Sequence, residues 1–186
     1  MADNSEQISL LVENLSSPSR RHRQEVAHQL AAFAEKDPAS MVGHADALIA
    51  ALERPEAQTR WEVLGALAAV ASVDPDAAAG AVEAAEDSLF DDGSSMVRLA
   101  SFVFLCRYGA SAPERSDEVW PLLDEAIQCY HGDAEYRDML GGLLGLAQGK
   151  ISKETGEKLA ARVKFDAENG QGYIKSFSAQ IISALG

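Results

Sequence analysis

The side chains best suited to metal binding or nucleophilic attack are widely spaced along this chain. They are His22, His28, His44, His131, Cys106 and Cys129. Metal ligands on one helix face are usually three or four residues apart, and no two of these histidines have that spacing. Cys106 lies within the apolar stretch FVFLCRY, where we expect a buried, unreactive thiol. The sequence therefore predicts no metal site.

Two short segments have some of the composition of ion-binding loops, but their spacing does not fit. In GLAQGKI, residues 145–151, the glycines are one residue too close, and Ile151 stands where a hydroxyl would bind magnesium. In DDGSS, residues 91–95, Phe90 and Leu99 fall at positions that a calcium loop gives to ligands. No serine or cysteine lies in a recognisable arrangement with a base. We predict no catalytic residue and no cofactor, and whether the chain is an enzyme stays open.

The charge of the chain disfavours two classes of partner. The net charge is −13, and residues 74–138 hold 15 acids against four bases. Nucleic acids and anionic membranes bind mainly through Lys and Arg, so we expect neither as a partner. No apolar run approaches the roughly 20 residues of a membrane-spanning helix, and the beginning MADNSEQ is unlike a secretory signal. With only two cysteines, we expect a reduced, cytoplasmic protein.

A repeated sequence segment indicates the helices on which these residues lie. RQEVAHQLAAFAEKDP begins at Arg23, and RWEVLGALAAVASVDP begins 37 residues later, at Arg60. A basic residue recurs at Arg98, Arg137 and Lys175. Seven residues beyond these five anchors stand apolar side chains on one helical face: Leu30, Leu67, Leu105, Leu144 and Ile182. Fixed-period repetition of this kind is typical of stacked helical hairpins.

We predict an all-α fold of about ten helices in about five hairpins, forming one domain over residues 1–186. The helices are predicted near 5–15, 18–35, 39–53, 57–72, 75–90, 95–109, 116–130, 133–148, 152–167 and 171–185. The five units are predicted at approximately 5–37, 38–74, 75–113, 114–151 and 152–186. Ser19, Ser116 and Ser152 are predicted to cap helix N-termini.

The units resemble HEAT repeats. The best match is LFDDGSSMVRLASFVFL, where Asp92 precedes Arg98 by six residues, as the turn acid of that family precedes its helix arginine. The resemblance implies a right-handed α-α superhelix, an α-solenoid, in which such acids and arginines bridge adjacent repeats. The residues assigned to this structural role are Arg23, Arg60, Asp92, Arg98 and Arg137. At the turn-acid position the other units depart from the family pattern, with Ser17, Arg54 and His131.

The resemblance also implies that the second helices line a concave groove. The residues expected to face a partner there are Gln24, His28, Trp61, Leu99 and Val103, and Trp61 is the predicted hot spot because Trp is enriched at such positions. The segment from Asp74 to Asp92 contains seven acids and no base, and is expected to steer a basic partner. Those acids are Asp74, Asp76, Glu83, Glu86, Asp87, Asp91 and Asp92.

The leading expectation is a non-catalytic module that binds a protein or peptide, in one version an adaptor or immunity-type protein capping a basic partner. The alternative is a HEAT-like enzyme or lyase subunit with its site in the groove. A DNA-glycosylase-like activity is disfavoured because the surface is acidic. We expect a monomer, or a weak homodimer formed through the apolar end IISALG.

Overall fold

The structure, a computed structural model, describes residues 2–186, with side chains from residue 5 onward. Within this range the chain is all helical and contains no strand. The elements are α1 (Ala2–Asn14), α2 (Arg20–Lys36), η1 (Pro38–His44), α3 (Ala45–Ala51), α4 (Ala57–Ala71), α5 (Pro75–Ala78), η2 (Ala79–Ala81), α6 (Val82–Leu89), α7 (Ser95–Gly109), α8 (Pro113–Tyr130), α9 (Tyr136–Ala147), α10 (Lys153–Asn169) and α11 (Gly172–Leu185), where η denotes a 3-10 helix.

The described residues form ten helical rods in five pairs, as predicted. The 3-10 helix η1 runs directly into α3, and α5, η2 and α6 follow one another without a break. Each rod begins and ends within three residues of its predicted bounds. Prolines start several of them, since Pro38, Pro75 and Pro113 occupy first-turn positions where a missing N–H is no loss.

The chain divides into two compact units, Met1–Phe104 and Leu105–Gly186, and the division falls within α7. The prediction of one domain over 1–186 stays a prediction. In the first unit, α2 packs against both α1 and α4, and α3 packs against α4. Two of the predicted apolar positions, Leu30 and Leu67, are fully buried in this core. The repeated sequence segment therefore supplies buried residues for the packing of α2 against α4.

In the second unit, α10 packs against α8 and α11, and α11 packs against α9. Here the predicted register is wrong by one residue. Leu144 and Ile182 are only half-buried, whereas Leu143 and Ile181 are fully buried. Seven residues before Leu143 stands Tyr136, which is itself fully buried at the start of α9. The fourth repeat is therefore anchored by a tyrosine and not by the adjacent arginine.

Two of the three predicted N-caps are confirmed. The Ser19 hydroxyl accepts from the His22 N–H, and the Ser152 hydroxyl accepts from the Thr155 N–H at 3.0 Å. The prediction for Ser116 is wrong, because α8 begins three residues earlier, at Pro113. Ser116 is buried inside that helix, where its hydroxyl donates to the Pro113 carbonyl and accepts from the Ser152 N–H at 2.9 Å.

Ser152 also joins two helices of the second unit. Its hydroxyl donates to Asp117 of α8, and the Thr155 hydroxyl donates to the same carboxylate at 2.8 Å. The residue that caps α10 is therefore held by α8.

Candidate functional site

The arginines of the first unit bind the turns between helices, and Arg23 is the most deeply buried example. Its guanidinium donates to the Ser17 carbonyl at 2.7 Å and pairs with Glu56, 33 residues further along the chain. The side chains of Arg23 and Glu56 are only 11% and 3% exposed. The hydrogen bond from Arg23 lowers the pKa of Glu56, although burial acts to raise it. Glu56 is thus the bridging acid of the second repeat, in a turn where sequence reasoning placed Arg54.

Arg60 repeats this arrangement one unit later. Its Nη1 lies 2.8 Å from Asp91 Oδ2, and Nη1 of Arg98 donates to the Asp91 carbonyl at 2.8 Å. Burial raises the pKa of Asp91, but hydrogen bonds from Arg60 and from the Gly93 N–H outweigh it and leave that pKa lowered. Asp92, the predicted bridging acid, is exposed. Arg23 and Arg60 each bind an acid in the turn of the following repeat, whereas Arg98 binds a main-chain carbonyl in its own repeat. The acid that binds Arg60 is Asp91 and not Asp92.

Arg137 does not take the predicted place. It lies exposed on α9, and no ion pair is seen for it in the part of the chain that the structure describes. The register shift explains this, since Tyr136, and not Arg137, is the buried residue seven positions before Leu143. The turn residue His131 forms the bridge instead, with Nε2 lying 2.8 Å from Asp166 Oδ2 of α10.

The predicted partner-binding residues lie at matching positions on the second helices α2, α4 and α7. Gln24, Trp61, Leu99 and Val103 are half-buried, and His28 is exposed. By contrast the second tryptophan of the chain, Trp120, is 5% exposed. We call the set of Gln24, His28, Trp61, Gly65, Leu99 and Val103 the second-helix surface.

Two further residues extend this surface. Met96, 48% exposed, precedes Leu99 by three residues on α7 and so adds to its apolar part. Glu62, next to Trp61, has Oε1 lying 2.9 Å from Nδ1 of His28. Sequence reasoning missed Glu62 because its partner lies 34 residues away and no local motif marks the contact. The second-helix surface therefore includes apolar side chains and a carboxylate bound by His28.

The predicted acidic patch separates into structural and exposed members. Asp74 caps α5, its Oδ1 accepting from the Ala77 N–H at 3.1 Å, and Asp91 binds Arg60. The remaining acids are exposed: Asp76, Glu83, Glu86, Asp87 and Asp92. Together with Glu53 of the preceding repeat, Glu83 and Asp87 line a groove of about 440 Å³, which Arg60 of α4 also lines. The exposed acids of the patch that line this groove, Glu83 and Asp87, both lie on the first helix α6.

The second unit has a groove of mixed charge between α8 and α10, about 580 Å³ in volume. It is lined by Trp120, Pro121, Asp124, Lys158, Ala161 and Arg162. Arg162 binds Asp124 through two hydrogen bonds of 2.6 and 2.8 Å, so these two opposite charges in the groove neutralise each other.

The nucleophile candidates are also placed by the structure. Cys106 is fully buried, as predicted, and desolvation raises the pKa of its thiol. Cys129 is exposed. Among the described residues, no three His, Cys, Asp or Glu side chains are grouped as a metal site would need. Nor does any described helix combine the length and apolarity required to span a membrane.

Solved structures that share this fold include designed armadillo repeat proteins and an engineered protein. A designed armadillo repeat protein in complex with the peptide (KR)4 has a TM-score of 0.76 at 16% identity, over 96% of this chain and 82% of its own. A computationally designed armadillo repeat protein for modular peptide recognition has a TM-score of 0.71 at 15% identity, over 96% and 82% of the two chains. An engineered protein has a TM-score of 0.73 at 21% identity, over 95% and 80%.

No protein-family model matches the sequence, and no curated protein matches it. At identities this low, the structural likeness shows the fold alone. The chain has an all-α helical-repeat fold of the HEAT and armadillo kind, as its repeat pattern predicted.

Proposed function

We propose that this protein is a non-catalytic helical-repeat module that binds a basic protein or peptide on the second-helix surface of its first unit. The observation that carries the proposal is that Trp61, Leu99 and Val103, at repeat-matched positions of α4 and α7, all remain partly exposed. Large apolar side chains that remain partly exposed are common at binding surfaces. The likeness to a designed protein solved with the peptide (KR)4 supports a peptide as the partner.

The charge of the first unit supports a basic partner. Residues 1–104 contain 17 acids and seven bases, a net charge of −10. Three of those bases, Arg23, Arg60 and Arg98, are bound to turn groups of the chain itself. The field around this unit is therefore strongly negative, which accelerates the encounter with a cationic segment and disfavours an anionic one.

The test is a titration of fluorescently labelled (KR)4, followed by anisotropy, with an acidic peptide of equal length as the control probe. We expect (KR)4 to bind and the acidic peptide not to bind. Trp61→Ala should weaken binding at least about tenfold, the loss expected of a hot-spot residue. Trp120→Phe, a change at a buried tryptophan of the second unit, should leave the affinity unchanged. A folded Trp61→Ala variant with full affinity would contradict the proposal.

A narrower role fits the same chemistry: an adaptor or immunity-type protein that caps a basic partner such as a nuclease toxin. Its support is the acidity of the chain and the absence of any recognisable catalytic arrangement in its sequence. The measurement is the activity of a basic nuclease from the same host during addition of the chain. Inhibition complete at one equivalent would support this role, and full activity at excess chain would exclude it for that nuclease.

A further inference from the structure

Gly65 stands in the middle of α4, and nothing in its own unit explains why it is a glycine. It is exposed, its φ angle is not positive, and a methyl group added there would meet no atom within 4 Å. Glycine weakens a helix because it loses more backbone entropy on folding than alanine does. Gly149 is different, since an added methyl would lie 2.5 Å from the Ala110 carbonyl oxygen. At Gly65 the fold would accept alanine and gain stability from it.

The surroundings of Gly65 are those of the second-helix surface. Trp61 lies one helical turn earlier on the same face of α4. Glu62, whose carboxylate is held by His28, lies three residues earlier. Val103 occupies the matching position of the next repeat, because it follows Arg98 by five residues as Gly65 follows Arg60. Gly65 is therefore a position without a side chain, one helical turn from an indole and three residues from a carboxylate.

We infer that the main chain of an extended cationic partner segment lies directly against α4 at Gly65, with one of its Arg or Lys side chains on Trp61. This inference rests on the proposed function and names the point of closest approach. A cation is attracted by the face of an indole and by the carboxylate of Glu62 next to it. A backbone can approach a helix most closely where no Cβ intervenes. The negative charge of the first unit selects a cationic segment over a neutral or acidic one.

The experiment compares Gly65→Ala with Gly145→Ala, using (KR)4 as the probe. Gly145 is also exposed on a helix, α9, and a methyl group there would likewise meet nothing within 4 Å. Both variants should melt about 2–4 °C above the parent protein, because alanine is the better helix former. Only Gly65→Ala should weaken (KR)4 binding, by about tenfold, and Gly65→Leu should weaken it further.

The outcomes separate this inference from the proposal on which it rests. If Gly65→Ala keeps full affinity while Trp61→Ala loses it, the close approach at Gly65 is wrong and the binding surface stands. Equal losses in Gly65→Ala and Gly145→Ala would show a general effect of stiffening and would also overturn the inference. If (KR)4 does not bind the parent protein, both the proposed function and the inference fail.

Discussion

The ion pair between Arg23 and Glu56 differs from a surface ion pair because both side chains are almost wholly removed from water. Removing one charge of such a pair leaves the other buried without compensation. We therefore expect Glu56→Gln to lower the free energy of unfolding by about 3 kcal/mol, measured by urea denaturation.

Glu25→Gln is the matched control for that measurement. Glu25 pairs with Arg21 at 2.9 Å, but the two side chains are 52% and 90% exposed. Its loss should cost no more than about 0.5 kcal/mol, the range of solvent-exposed pairs. Equal losses in the two variants would mean that burial does not govern the strength of the Arg23–Glu56 pair.

The same residues predict how stability depends on pH. The pKa values of Glu56 and Asp91 are lowered in the folded chain, from ordinary values of 4.5 and 3.8. A lowered pKa means that the unfolded chain binds the proton more readily, so these groups stabilise the fold above their ordinary pKa values. That contribution is lost as the pH falls through the folded-state values. Between about pH 5 and pH 2, Glu56→Gln should therefore lose less stability than the parent protein in thermal melts. If the variant and the parent protein lose stability in parallel over this pH range, the lowered pKa of Glu56 is wrong.

At this scale the sequence predicted the arginines better than their partners. Arg23, Arg60 and Arg98 recur at a fixed offset within helices, where helical geometry makes spacing meaningful. Their acids lie in turns, whose backbone conformation decides which of two neighbouring carboxylates points inward. Asp91 and Asp92 are equivalent in composition, and only Asp91 accepts both from Arg60 and from the Gly93 N–H.

At the scale of the elements, the end of α9 is held by a close approach that requires glycine. Lys150 N–H donates to the Ala110 carbonyl at 2.7 Å, and a methyl group on Gly149 would lie 2.5 Å from that oxygen. Gly149→Ala should lower the free energy of unfolding by about 2 kcal/mol, as expected when an inserted methyl forces the backbone to shift.

Gly145→Ala, one helical turn earlier, should instead stabilise the chain by about 0.5–1 kcal/mol. Chemical denaturation of both variants gives the comparison. If both variants unfold with a higher free energy than the parent protein, the contact with Ala110 accommodates a methyl group without loss of stability.

The helices themselves were predictable because apolar periodicity, proline and serine mark their bounds. The register of α9 was not. Tyr136 and Arg137 are adjacent, and the pattern of earlier repeats favoured the arginine as the anchor. Tyr136 is the buried residue and Arg137 is exposed, because burying an unpaired guanidinium costs far more free energy than burying a phenol ring.

At the scale of the whole molecule, the two units differ in net charge. Residues 105–186 have a net charge of −3, against −10 for residues 1–104. If a basic segment binds the first unit, its affinity should depend strongly on ionic strength. Raising the salt concentration from about 50 to 300 mM should weaken (KR)4 binding by about tenfold or more, because the Debye length shortens.

The Trp61→Ala variant is the control for this salt series. It should bind more weakly at each salt concentration but keep the same salt dependence, since the indole is uncharged. An affinity for (KR)4 that does not change with salt would exclude long-range charge as the source of selectivity.

The whole fold was more predictable than the function for one physical reason. Residues such as Leu30 and Leu67 recur because each helix must pack on the next, so repetition reports architecture. Binding residues are expected where the repeats differ in sequence, as Gln24 and Trp61 do at one matching position. Such a difference identifies a position on the surface. The chemistry of the partner has to be inferred separately, from the net charge of the unit.

The hydrogen bonds of Ser152 couple the formation of two helices in the second unit. Ser152 caps α10 while its N–H and hydroxyl are both bound by α8. The start of α10 therefore has these partners only where α8 is already helical, so the two helices should form and melt together.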